Sequence, residues 1–224
     1  MLHANGIPML GHLINRLKSI DLIGEIVLAT TVNPKDDLLV EYAHNQQISF
    51  FRGSEDDVMS RVIDAADSVG ADLIVDITGD CPIIDPLLIK ETVHMFFISN
   101  VDYVSNAHIR SFPDGMDCQV FRLRTLKKSA SMTNDRLDRE HVTLHIRNNP
   151  EIFSHAHYVS PSESYWPELG LTLDEVADYT FLKRIIEHFG SNRSLFSCLD
   201  VIELLRKNPE WVKINQSVQR KGDT

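Results

Sequence analysis

The sequence predicts an α/β fold, a mostly parallel sheet covered by helices on both faces. Three observations carry that prediction. Short apolar runs alternate strictly with helix-periodic stretches over the first hundred residues, which implies crossover connections. Residues 72–77 (DLIVDI), bounded by Gly70 and Gly79, are rich in β-branched side chains and read as a strand buried on both faces. The composition, 43% hydrophobic and 24% charged over 224 residues, is that of a soluble globular chain with a sizeable core.

In chain order, Pro8 opens a helix whose Met9, Leu10, Leu13, Ile14 and Leu17 share one face. Residues 25–31 (EIVLATT) are a buried strand, and Asn33-Pro34 starts a helix to about residue 44. Residues 48–51 form a third apolar strand, ending in Arg52-Gly53-Ser54, where a helix to about residue 69 begins. The 72–77 strand runs into Gly79-Asp80-Cys81-Pro82. Asp85-Pro86 then reads as a helix start, an N-cap followed by proline at the first helical position. That helix extends to about residue 98, with a strand at 102–105 after it.

From Asn106 to Glu168 the alternation breaks. Pro113-Asp114-Gly115 is a turn and 118–121 a strand, with helices expected at 123–131 and 136–147 and a strand at 155–159. This stretch, about 106–168, is expected to be an insertion at the active-site mouth or a subunit contact. Residues 169–173 return to the sheet, 175–189 and 197–207 are closing helices, and the tail 216–224 is expected to fray. Residues 1–215 make one domain, with no internal repeat or linker.

The net charge of −10 and the absence of a basic stripe argue against nucleic acid as a partner. An acidic protein can still bind polyphosphates through a divalent metal. Three widely spaced cysteines form neither a CxxC site nor a disulfide framework, so a cytoplasmic location is expected. No apolar run reaches membrane-spanning length, and the N-terminus does not read as a signal peptide.

In open α/β sheets ligands sit beyond the carboxyl ends of the strands. Asp80 is delivered there, either as a functional carboxylate or as an ordinary turn residue after Gly79. Arg52 and Gly53 end another strand: glycine permits close backbone approach, and arginine could meet a nucleotide or its phosphates. Ser54-x-x-Asp57 is also a capping box with Asp for Glu, which favours a structural Ser54. His141 and His145 have zinc-ligand spacing without the following Glu or a third ligand.

The segments GIPMLGHLINRL, IVLATTVNPKDD, FRGSEDDVMSRV, ITGDCPIIDP, SFPDGMDCQVF, REHVTLHIRNNPE and LTLDEVAD, in that order, resemble the cytidylyltransferase family from about residue 6 to about residue 215. The nearest branch is that of spore-coat polysaccharide biosynthesis protein F, related to CMP-acylneuraminate and CMP-Kdo synthetases. The resemblance implies a three-layer α/β/α Rossmann-like nucleotide-diphospho-sugar transferase fold, CTP as donor, Mg²⁺, a sugar acceptor, acidic or otherwise unusual, and a homodimer. It assigns Asp80 and Asp174 as magnesium ligands and Arg52, Gly53, Ser54 and Gly79 as the nucleotide site. It places Asp117, Arg139 and His141 near the acceptor. Mg²⁺ suits one or two carboxylates plus substrate phosphates. The rival role for Asp174 is to cap the 175–189 helix, and for Arg139 and His141 to lie on a solvated helix face.

The family opens with a strand and a loop of the form S-x-R-L-P-G-K, and Met1-Leu2 falls just after where that loop would end. A strand lost from mid-sheet leaves two unpaired edges, so an upstream segment or another element is expected to cover the gap. Two further readings stay open. One is a non-catalytic homologue or binding subunit. The other is a nucleotide-sugar glycosyltransferase, opposed by the absence of any Asp-x-Asp.

Overall fold

The computed structural model describes residues 1–219. A hairpin of β1 (His3–Ala4) and β2 (Ile7–Pro8) opens the chain. Its two-residue turn is Asn5-Gly6, both at positive φ, the backbone of a type I′ turn. Then come α1 (Met9–Lys18), β3 (Val27–Thr31), a 3₁₀ turn at Pro34–Asp36, α2 (Asp37–Asn45), β4 (Ser49–Gly53) and α3 (Val58–Ser68). β5 (Leu73–Asp76), α4 (Pro86–Ser99) and β6 (Tyr103–Ser105) follow. The second half supplies β7 (Gln119–Arg122), α5 (Leu123–Met132), α6 (Arg136–Glu140), α7 (Leu144–Asn148), β8 (His155–His157), α8 (Val176–Phe189), α9 (Cys198–Lys207) and α10 (Pro209–Val212).

Apart from the β1–β2 hairpin, the strands among the described residues form two separate pieces of sheet. β3 and β4 pair in parallel, and β5, β7, β6 and β8 make a four-stranded sheet in that order. Helices cover both faces. Val104 and Val120 pack with Leu13, Ile89, Val93 and Phe96 on the side of α1 and α4. Their neighbours Tyr103 and Phe121 pack with Met59, Leu126 and Ile146 on the side of α3, α5 and α7. Alternate residues of one strand thus serve opposite layers, as the pleat requires. A third cluster joins α8 and α9, through Phe181, Ile185, Val201, Ile202 and Leu205, to Phe112, Met116 and Leu171.

Several expectations are corrected. Within the mostly parallel sheet one strand is reversed, because β7 runs antiparallel to both β5 and β6. Residues 106–168 supply β7 and β8 as sheet members, so the break in rhythm marks a reversal of strand direction. β5 is only half-buried at all four positions, against three fully buried residues in β6. Among the described residues it has no strand neighbour on one edge, a fact that hydrophobicity alone does not encode. Residues 169–173 join no strand; Gly170 makes a single parallel bridge with Asp114. The helix expected at 136–147 breaks at His141, with φ −101° and ψ 48° at that cap. The helix expected from Ser54 starts at Val58, capped by Asp57, whose carboxylate accepts from the Ser60 amide at 2.9 Å. Of the tail, residues 220–224 lie outside the described residues. Asn215 just before it is buried, donating to Gly170 O at 3.1 Å and Asp178 Oδ1 at 2.8 Å.

Candidate active site

The site lies at the carboxyl end of β5. Thr78 and Gly79 are exposed there, and Asp80 is half-buried in the turn that follows. The Leu173 amide donates to the Asp80 carbonyl at 2.9 Å, so the segment carrying Asp174 docks directly on the turn carrying Asp80. The backbone segments that carry two aspartates ninety-four residues apart thereby meet at one rim. Asp174 does not cap α8. Asp178, fully buried, accepts from the amides of Glu175 at 2.9 Å and Asp174 at 3.2 Å. The Asp174 carboxylate instead accepts from the Thr172 hydroxyl at 2.7 Å.

Gly115 makes this convergence possible. At φ +96° it sits where an added Cβ would lie 2.6 Å from the Leu171 carbonyl carbon and 2.9 Å from the Thr172 nitrogen. Backbone bonds from Asp114 N to Leu169 O (2.9 Å) and from Leu171 N to Asp114 O (2.7 Å) lock the two segments together. The Pro113–Gly115 turn is therefore a close backbone approach as well as a reversal.

Asp117 lies in the same mouth. Arg110 bridges it at 3.1 Å and Asp114 at 3.2 Å. Burial, then the Asp114 carboxylate, push the Asp117 carboxyl upward despite Arg110. Burial also drives the Cys81 thiol well up, followed by the charge of Asp80, whose Oδ1 lies 3.6 Å from the sulfur, and by that of Asp117. Cys81 is thus a buried thiol beside the acids rather than a nucleophile.

The remaining assigned residues divide. Arg52 donates to Thr31 O (2.8 Å) and Asn33 O (2.9 Å) and pairs with Asp37 at 2.7 Å, fastening the loop after β3. Gly53 leaves room for Arg61, whose Cγ would be 2.9 Å from a Cβ there. Ser54 accepts from the Asp57 amide at 3.0 Å, the turn role that its spacing favoured. Arg139 clamps α6 to its neighbours, donating to Ala130 O (2.7 Å) and Thr133 O (2.9 Å) and pairing with Asp57 at 3.5 Å. It lies on no free helix face. His141 does line the cavity, with Asp117, Gln119, Glu140, Thr143 and Arg147. His145 turns away to Ser129 (3.0 Å) and Phe153, so the two histidines do not act as a pair.

Two groups escaped the sequence reading. Gln119 Oε1 accepts from the hydroxyls of Tyr103 (2.5 Å) and Thr143 (2.6 Å) at the cavity floor. Asp76, its partner across β5 and β7, is pushed up to about 6 by burial. Both occupy ordinary strand positions, and only the pairing register reveals their neighbours.

Among the described residues no group of three or more His, Cys, Asp or Glu could hold a metal ion on its own. Asp80 and Asp174 fit the hard, partly protein-bound coordination of Mg²⁺, which takes its other ligands from water and phosphate.

The chain matches the cytidylyltransferase family over residues 1–210. It belongs to that family. As a cytidylyltransferase it is 33% identical over 211 residues to the protein called uncharacterized protein MJ1063 of Methanocaldococcus jannaschii, covering 94% of this chain and 84% of that one. It is 30% identical to the spore coat polysaccharide biosynthesis protein SpsF of Bacillus subtilis, covering 83% of this chain and 76% of that one. The structure of a cytidylyltransferase from Leptospira borgpetersenii superposes with a TM-score of 0.86 at 33% identity, covering 96% of this chain and 88% of that one. A CMP:2-keto-3-deoxy-manno-octonic acid synthetase complexed with CTP is similar in fold, with a TM-score of 0.57 at 13% identity, covering 84% and 90%. The architecture is that of nucleotide-sugar transferases. Its cysteines are free and buried, and no helix among the described residues is long and apolar enough to cross a membrane.

Proposed function

We propose that this cytidylyltransferase transfers CMP from CTP to a hydroxyl of a sugar, acidic or otherwise unusual, for surface polysaccharide or glycoconjugate synthesis. In this reading it acts in the cytoplasm as a homodimer. The observation that carries the reading is the Leu173–Asp80 backbone bond, which joins the segments that carry the two aspartates. Asp80 and Asp174 would hold Mg²⁺, which when bound neutralises charge on the α-phosphate and the departing pyrophosphate. The chain's own part is to place the reactants. Thr172 and Asp178 fix the approach of Asp174. Asp117, with a carboxyl raised towards neutrality, is suited to accept the proton of the attacking hydroxyl. His141 and Gln119 offer polar contacts to the acceptor from the cavity wall. Arg52 supports the nucleotide side indirectly, by bracing the loop after β3.

The test is a pyrophosphate-release screen of CTP, GTP, UTP and ATP against acidic sugars, run on this chain and on an N-terminally extended one. CTP-selective, Mg²⁺-dependent release is the expected result; no release with any nucleotide from either polypeptide would contradict the assignment. A second reading, a chain inactive by itself, is favoured by the gap between β3 and β5.

A further inference from the structure

A second cavity, of about 100 Å³, opens between the β1–β2 hairpin, α1 and the segment joining α8 to α9. Its polar wall is made of Asn5, His12, Asn15, Arg16, Ser191 and Ser194, and no Asp or Glu among the described residues lines it. In a chain with 32 acidic residues and a net charge of −10, a wall of one arginine, one histidine and neutral polar groups is a local reversal of sign. None of its residues lines the mouth that holds Asp117 and His141.

His12 and Arg16 stand one turn apart on α1 and are 8% and 2% exposed. The Arg16 guanidinium lies 4.2 Å from the Phe196 ring centroid and donates to carbonyls: Nη1 to Phe196 O at 2.9 Å and Ile84 O at 3.2 Å, Nη2 to Ser194 O at 2.9 Å. Three of its five N–H groups are thereby used among the described residues, which leaves two. The nearby carboxylate of Asp85 spends its oxygens on the amides of Leu87 and Cys198. Burial lowers the guanidinium to about 10, so it stays charged at neutral pH. A buried charge without an ion-pair contact is costly unless a counter-charge arrives. His12 Nε2 faces the Ala4 carbonyl at 2.9 Å, so that nitrogen carries the proton and fastens the ring to the hairpin.

We infer that this cavity binds one free tetrahedral oxyanion, of the phosphate or sulfate class, between Arg16 and the side chains of Asn15 and Ser191. The donors select the class, since a guanidinium fork matches two oxygens of such an ion while amide and hydroxyl groups meet the others. Size selects a free ion. The cavity is well below the roughly 300–1,000 Å³ of sites for drug-sized ligands, so a nucleoside or sugar carrying the phosphate does not fit inside. Arg16 also holds the carbonyl of Ile84, four residues past Asp80. An ion on its guanidinium therefore ties the 190–196 segment to the one that follows the candidate metal ligand. The inference stands whether or not CTP is the substrate.

Equilibrium dialysis of the 224-residue chain against radiolabelled inorganic phosphate, without Mg²⁺ or nucleotide, tests it. One ion per chain should bind saturably, with sulfate competing. Asn15 and Ser191 are exposed, so substitutions there spare the core. Asn15→Asp and Ser191→Asp each add a negative charge to the wall and should weaken binding about tenfold, whereas Asn15→Lys should tighten it about threefold, with circular dichroism unchanged. Phosphate should also slow hydrogen exchange at residues 190–196 of the wild type. Absence of saturable binding, or an affinity that none of the three substitutions alters, would overturn the inference. Phosphate that CTP displaces while these variants retain it would belong to the other mouth, and would overturn it equally.

Discussion

Asp80 and Asp174 are the residues on which the proposed chemistry turns, and neither of them caps a helix. Asp174 is released from helix capping by Asp178, and Asp80 makes no cap of α4 because Asp85 does so, accepting from Leu87 N at 2.8 Å. Replacing Asp80 with Asn should abolish Mg²⁺-dependent pyrophosphate release and leave the circular dichroism and melting temperature unchanged, since a turn tolerates Asn. Undiminished turnover would remove Asp80 from the metal site. Gly115→Ala acts on the same site from the second layer, through strain at positive φ and overlap with Leu171. It should cost about 2–4 kcal/mol in urea denaturation and lower activity in the fraction that stays folded. Wild-type stability would show that the Leu171 backbone yields freely. Asp76 makes pH its variable. Burial raises it from 3.8 to about 6, so the folded chain favours the neutral acid. That contribution to stability is complete below pH 3.8 and is lost as pH rises through about 6. Asp76→Asn should therefore gain on the wild type between pH 4 and pH 7.5, by on the order of 2 kcal/mol. Parallel stability profiles would place Asp76 in water.

At the scale of elements, two buried groups fasten the helices that frame the site. Asp85 caps α4 with one oxygen and accepts the Cys198 amide at the start of α9 with the other, at 2.8 Å. Arg16 of α1, 2% exposed and lowered to about 10 by burial, donates to the carbonyls of Ile84, Ser194 and Phe196. Asp85→Ala should cost about 2–4 kcal/mol, since it orphans the capping amide of Leu87 and the amide of Cys198, while Asp85→Asn, which keeps an acceptor oxygen, costs less. Equal losses in thermal melts would assign the effect to charge. The Asp85 cap was legible in the sequence because a cap and its proline are neighbours along the chain. So were α1, α2, α4, α8 and α9, each written in a 3.6-residue period within a single segment. Strand direction was not legible: residues 118–121 read the same whichever way they run, so the antiparallel place of β7 depends on its partners in β5, 43–49 residues away, and in β6, 14–18 residues away. Arg52 and Arg139 looked available for ligands because the carbonyls they clamp belong to other segments. Asp178 lay inside a quoted motif, yet nothing local marks it as the residue that frees Asp174.

For the whole molecule, three layers are built and one strand-wide opening divides the middle one. The helical layers hold their cores through Val93 and Phe96 on one side and Met59 and Phe121 on the other, so the two pieces of sheet stay framed while their facing edges remain open. Open edges are pairing templates. The 224-residue chain should therefore associate with rising concentration more readily than the N-terminally extended one, a difference that sedimentation velocity reads directly. Equal sedimentation of both would mean that the edges are shielded without a strand. The site stands at the mouth of this opening, with Asp80 leaving the exposed-edge strand and Asp174 docked against it. Fold and chemistry consequently share one weak point. The most direct test of that convergence is a crystal structure of the protein grown with CTP and Mg²⁺. A cation at about 2.1 Å from oxygens of both Asp80 and Asp174 and from the nucleotide phosphates is the predicted result; a cation bound to neither aspartate, with the phosphates placed elsewhere, would contradict it.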